Sequence, residues 1–137
     1  MQRFTQIAVW QRAREVAVAI LRLSRGFPAS EGFQLTSQLR RAATSVPANI
    51  AEGSKRRSNR DYAYFLNIAE ASAGEAEYFL ILARDLGDVN ADQVMPIFPE
   101  ISKGRRHALP PSLESGSANH LAHTRPKAAK RSSLTCQ

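Results

Sequence analysis

From Leu35 to Gly53 the chain reads LTSQLRRAATSVPANIAEG. At about 100° per residue, Leu35, Leu39, Ala43, Val46 and Ile50 fall on one side, with Arg41, Ala48 and Glu52 opposite. The period continues through Pro47. A proline inside a helix removes one backbone bond, here to the Ala43 carbonyl, and costs roughly 3 kcal/mol. The pattern therefore predicts one helix kinked at Pro47 rather than two elements. Upstream, Val9, Ala13, Val16, Ile20, Leu23 and Phe27 recur at spacings of three and four, widened by Trp10, Ala17 and Leu21, with Gln11, Glu15 and Arg22 on the far side. That is a core-facing amphipathic helix over about 7–25. Gly26, Phe27 and Pro28 stop it, Ser30 is the expected N-cap of the second helix, and the short connection predicts antiparallel packing.

After Gly53 the segment SKRRSNRD places Lys55, Arg56, Arg57 and Arg60 between two helices, and Ser58 with Asp61 has the spacing of a capping box. A third helix is expected from there to about Leu86, ended by Gly87. It carries two apolar stripes. One contains Tyr62, Phe65, Ala69, Ala73, Ala76, Leu80 and Ala83; the other, nearly opposite, contains Tyr64, Ile68, Ala71, Tyr78 and Leu82, interrupted by Glu75. A helix apolar on two sides needs two partners: either it lies centrally within one bundle or, the favoured expectation, one stripe faces the core and the second a subunit interface. Asn90 is placed to cap a fourth helix bearing Val94, Ile97, Phe98 and Ile101, which Pro96 and Pro99 should make short or irregular. From Gly104 onward, prolines, serines and basic residues replace the apolar period. The expected organisation is an all-α, up-and-down antiparallel four-helix bundle over 1–103, followed by a basic, disordered tail over 104–137.

The formal net charge of +7 divides unevenly: residues 1–103 hold 13 Lys and Arg against 11 Asp and Glu, and residues 104–137 hold 6 against 1. Most of the excess lies in the tail, where it means general attraction to polyanions rather than a folded binding surface. No apolar run approaches the roughly 20 residues that span a bilayer, and the N-terminus lacks the apolar block of a signal peptide. A cytoplasmic protein with no membrane partner is expected. Cys136, the one cysteine, has no disulfide partner.

Catalytic chemistry finds little footing. His107, His120 and His123 all lie in the tail, and His120 with His123 make two metal ligands where a site needs at least three. Glu70, Glu75 and Glu77 lack the accompanying Glu-x-x-His of di-iron bundles. Neither a phosphate loop nor a nucleophile elbow is present. No catalytic residue, metal or cofactor is expected, and the chain reads as non-enzymatic.

The strings VWQRARE, LTSQLRRAATSVPANIAEG and KRRSNRDYAYFLNIAEASAGEAEYFLILARDLG resemble the four-helix-bundle family named for the 23S rRNA intervening-sequence proteins. The resemblance runs from about Phe4 to Gly87 and centres on S-[IV]-P-x-N-I-A-E-G, which here supplies Ser45, Pro47, Asn49, Ile50, Glu52 and Gly53. It implies an up-and-down bundle that assembles as a homopentamer in bacteria. Distantly related small bundle proteins serve diversity-generating retroelements as accessory factors that contact a reverse transcriptase and RNA, which makes RNA and a protein partner the expected classes of ligand.

Around Pro47, the polar residues Gln38, Ser45 and Asn49 share a stripe beside the apolar face. They are placed either to hydrogen-bond across a helix pair and satisfy the carbonyl left free by Pro47, or to line a ligand or RNA pocket at the kink. Two functional readings stand side by side. One is an oligomeric RNA-binding accessory protein that repeats Arg40, Arg41, Lys55, Arg56, Arg57 and Arg60 around a ring. The other is a structural or protein-interaction scaffold whose basic residues are solvated. No aromatic residue is interleaved with the basic cluster in sequence, which counts against single-strand readout.

Overall fold

The computed structural model describes residues 3–107. The expected tail from 108 onward, with His120, His123 and Cys136, lies outside them. A 3₁₀ turn at Phe4–Gln6 precedes α1 (Ala8–Leu23). A second such turn, Ser24–Gly26, ends α1, and Phe27 then swings into an extended conformation and buries its ring. The path into α2 differs from expectation. Ser30 sits inside a 3₁₀ turn, Ala29–Glu31, rather than capping a helix, and a wide π-turn, Gly32–Thr36, leads into α2 (Ser37–Ser54). The helical path simply tightens into α-geometry at Ser37, so Ser30 has no free helix end to cap.

α2 runs unbroken through Pro47, as the continuous apolar period predicts. Leu39, Ala42, Ala43, Ile50 and Gly53 are buried on its inner side. α3 (Asn59–Asp85) is the longest element, at about 40 Å for its 27 residues. Its start is capped as expected: the Ser58 hydroxyl accepts from the Asp61 N–H at 3.0 Å. Gly87, at φ +80°, ends it in a left-handed turn. The Gly87 N–H donates to the Arg84 carbonyl at 3.0 Å and the Asp88 N–H to the Ala83 carbonyl at 2.9 Å, the paired bonds that close a helix at glycine.

The fourth arm is two helices, α4 (Ala91–Val94) and α5 (Ile97–His107). Gln93 Oε1 reaches back to the Asn90 N–H at 3.1 Å, so Asn90 marks the start of α4. The two prolines are placed where a missing N–H is harmless: Pro96 stands in the turn between α4 and α5, and Pro99 lies in the first turn of α5. They split the arm without ending it, and α5 continues through Gly104 to His107.

Two packed clusters hold the bundle together. The larger joins Ile20, Leu39, Leu80, Val94 and Ile101 with Phe27, Leu35 and the small residues Ala42, Ala76 and Ala83. The smaller joins Ala13, Ile50, Leu66 and Ala69, flanked by Val9, Trp10 and Tyr62. Val46, next to Pro47, packs against both. Because α1 meets α2 through Ala13 with Ile50 at one end and Ile20 with Leu39 at the other, the two helices are antiparallel; Ile50 with Leu66 and Leu39 with Leu80 say the same of α2 and α3. With the α4–α5 arm packed against α1 and α3, the fold is an all-α four-helix bundle.

Candidate nucleic-acid interface

The capped start of α3 fixes the loop in which the basic cluster lies. Lys55, Arg57 and Arg60 are exposed and have no acidic partner among the described residues. Arg56 is different. Its guanidinium pairs with Glu52 one turn back on α2 and lies over the Phe65 ring, 4.8 Å from the centroid. It therefore staples α2 to α3 as well as adding charge.

Arg40 and Arg41 do not join this group. Fifteen residues separate Arg40 from Lys55, about 22 Å along a helix, so they occupy the opposite end of α2. Both are also engaged. Arg40 Nε donates to the buried Ser24 hydroxyl at 2.8 Å, tying α2 to the end of α1. Arg41 pairs with Glu75 on α3, and its Nε donates to Gln38 Oε1 at 2.9 Å. The six cations expected at one surface are thus two groups: Arg41 and Arg56 are neutralised by carboxylates, Arg40 is tied to a serine hydroxyl, and Lys55, Arg57 and Arg60 of the loop have neither kind of partner.

Around Pro47, Asn49 Nδ2 donates to the Ser45 carbonyl at 2.8 Å and to the Ser45 hydroxyl at 3.0 Å, while the Ser72 hydroxyl of α3 donates to the same Ser45 hydroxyl at 3.0 Å. Ser45 and Ser72 form a polar bridge across α2 and α3, which Asn49 supports from one turn along α2. Its details differ from expectation: Asn49 bonds the Ser45 carbonyl rather than the Ala43 carbonyl, because its side chain reaches one turn back, and Gln38 is occupied by Arg41. Gly53 marks the closest approach of the two helices. A Cβ built on it would lie 2.8 Å from Phe65 Cβ and 3.0 Å from Tyr62 Cδ2. Burial at this crossing raises the Tyr62 phenol above its usual pKa.

The bundle also keeps a small apolar groove of about 40 Å³, partly open to solvent. It is lined by Val46 and Ile50 of α2, by Val9, Ala13 and Val16 of α1, and by Ala69, Ala73 and Ala76 of α3. Arg12, Glu70 and Glu100 line it too. The Lys103 ammonium, hydrogen-bonded to Glu100 at 2.8 Å, holds that carboxyl below its usual pKa, with Arg12 adding to the effect.

A family model described as 23S rRNA-intervening sequence protein matches residues 5–107. The chain belongs to that family. The match extends past Gly87 through α5, so the family model covers the fourth arm as well. Among solved structures, the chain is similar to a protein of unknown function from the S23 ribosomal protein family of Bacteroides thetaiotaomicron. The two are 28% identical at a TM-score of 0.69, over 74% of this chain and 94% of that one. Comparison with curated proteins yields no match.

Within the intervening-sequence protein motif, Ser45 makes the polar bridge and Asn49 supports it, Ile50 is 2% exposed in the smaller core cluster, Glu52 anchors Arg56, and Gly53 lets α3 approach. The second stripe of α3 is split by the fold. Tyr64 and Tyr78 are 62% and 57% exposed, and Ala71 is exposed with them. Ile68 is half-buried, and Leu82 packs partly against the larger core cluster. Ile81, absent from the expected stripe, is exposed beside Tyr78.

Sequence reasoning missed three residues near the basic loop. The Phe4–Gln6 turn packs against α2, bringing Phe4 to within 5.9 Å of Lys55 Nζ, and Phe4 in turn meets Trp10, over which Arg14 lies. No local spacing announces a contact between positions 4 and 55. Among the described residues, no group of three or more His, Cys, Asp or Glu side chains could hold a metal. None of the described helices is long and apolar enough to cross a membrane.

Proposed function

We propose that this non-enzymatic all-α protein is an oligomeric RNA-binding accessory protein, whose contact surface is the α2–α3 end of the bundle. One observation carries the reading: Lys55, Arg57 and Arg60 stand exposed without a carboxylate partner within six residues, while Arg41 and Arg56 are paired with carboxylates and Arg40 is hydrogen-bonded to Ser24. The N-terminus of α3 lies under them and adds the positive end of a long helix dipole. Three charges bind RNA weakly. A ring of copies, the homopentamer that the family resemblance implies, would repeat them and turn weak contacts into avid ones. The exposed Tyr64, Ala71 and Tyr78, continued by Ile68 and Ile81, supply the apolar face through which copies would meet, since a face of that kind on a single bundle calls for a partner.

The test is a filter-binding titration with single-stranded RNA at low salt, comparing two variants. Changing Lys55, Arg57 and Arg60 together to Ser should weaken binding at least tenfold. Changing Arg40 and Arg41 to Gln should leave it within a few-fold, because those side chains are turned to Ser24, Gln38 and Glu75. Equal losses in both variants, or no binding by the unaltered protein, would remove the reading in favour of a protein-interaction scaffold.

A further inference from the structure

Two aromatic rings stand at the basic end of the bundle, and nothing in the chain's periodicity places them there. The Phe4–Gln6 turn is pinned to α1 by Gln11, whose side-chain amide donates to the Thr5 carbonyl at 2.9 Å. This holds the Phe4 ring edge-to-face with Trp10, at 5.0 Å between centroids and 75° between planes. Lys55 Nζ lies 5.9 Å from the Phe4 centroid and Arg14 Cζ lies 6.0 Å from that of Trp10. Both rings are only half-buried.

The contrast with Phe65 is instructive. There Arg56 sits closer, at 4.8 Å, and is tied down by Glu52, so that ring is covered by a fixed cation. Over Phe4 and Trp10 the cations stand at the outer limit of a cation–π contact, about 6 Å, and neither Lys55 nor Arg14 has an acidic partner among the described residues. Each ring is thus flanked by a cation with no carboxylate to hold it, available to a phosphate. Aromatic faces beside unneutralised cations are what surfaces for unpaired nucleotides are made of: bases stack on the rings while the backbone follows the charges. A duplex keeps its bases stacked on one another and offers only its phosphates to such a surface.

We infer that Phe4 and Trp10 form a base-stacking platform, and that the ligand of this end is an unpaired, single-stranded stretch of nucleic acid held by Lys55 and Arg14. The inference rests on the nucleic-acid reading above and names the form of ligand which that reading leaves open.

Trp10 is the chain's one tryptophan, so its emission reports on the platform directly. The full-length protein is titrated with a single-stranded oligoribonucleotide and with an abasic oligomer of equal phosphate number, following both Trp10 emission and anisotropy of the labelled oligomer. Saturable quenching by the base-bearing strand, absent with the abasic one, is expected, together with at least about fivefold tighter binding, the lower end of what one stacked base contributes. Phe4→Leu should remove most of that advantage and leave abasic binding unchanged, and Trp10→Phe, which keeps a ring, should retain much of it. Phe4→Tyr keeps the test open if Phe4→Leu loses its helical circular dichroism, because it preserves both the packing and the stacking face and should bind as the unaltered protein does. Equal binding of both oligomers without a change in emission would overturn the platform and leave the charge-based reading standing. Failure of both oligomers to bind would overturn the two together.

Discussion

Gly53→Ala is the substitution on which the packing account turns. In an ordinary helix it would stabilise, since alanine is favoured over glycine by about 1 kcal/mol, somewhat less near a helix end. Here the added carbon would lie 2.8 Å from Phe65 Cβ and 3.0 Å from Tyr62, whereas carbon atoms rest comfortably at about 3.5–4.0 Å. The nearer obstacle is a Cβ fixed to the α3 backbone, so no rotamer change clears it and the two helices must separate. Such overpacking costs about 1–3 kcal/mol, which against the propensity gain leaves a net loss of up to about 2 kcal/mol. For a folded body of this size that corresponds to a fall in Tm of up to about 15 °C. The assay is thermal and urea unfolding followed by circular dichroism at fixed protein concentration, because assembly would make Tm depend on concentration. Gly26→Ala is the control, since nothing lies within 4 Å of the carbon it adds, and should change stability by less than about 0.5 kcal/mol. If Gly53→Ala is more stable than the unaltered protein, the close approach of α2 and α3 at this position is wrong.

Two further outcomes follow from neighbouring contacts. Ser45→Ala leaves the Ser72 hydroxyl unpartnered at a site only 7% exposed and should cost about 1–2 kcal/mol; the double change with Ser72→Ala should cost less than the sum of the singles, and strict additivity in denaturant titrations would show that the bridge does not couple the helices. Tyr78→Glu places a charge on the exposed apolar face of α3, so light scattering should show weakened assembly while helicity and monomer stability persist; an unaltered protein that scatters as a single chain at micromolar concentration would end the assembly proposal.

The first three helices were legible in the sequence because each carries a sustained apolar period against one common core, and because local chemistry marks their ends: Ser58 at the start of α3 and Gly87 at its close. The π-turn at Gly32–Thr36 was not, since its residues read equally well as the first turn of α2. Leu82 was placed on the outer stripe by its angle alone. It turns partly inward because the fourth arm arrives at that end of α3 and widens the arc that is buried there. Pro96 and Pro99 signalled interruption correctly, but a proline in a first turn interrupts nothing, which is why α5 runs on to His107. The site was the least legible part. Which cations are free depends on Glu75 meeting Arg41 from 34 residues away and on Ser24 meeting Arg40 from 16, pairings made by the fold and invisible to composition. The Phe4 and Trp10 rings join the basic loop for the same reason.

The salt dependence of RNA binding tests the central claim most directly. Each phosphate neutralised on a single strand contributes about 0.7 to the slope of log affinity against log salt. Replacing Lys55, Arg57 and Arg60 together should therefore flatten the slope by about 2 for each subunit engaged, while replacing Arg40 and Arg41 should leave it unchanged. A slope that is the same in the unaltered protein and the triple variant would contradict the account, because the loop at the start of α3 would then carry none of the contact.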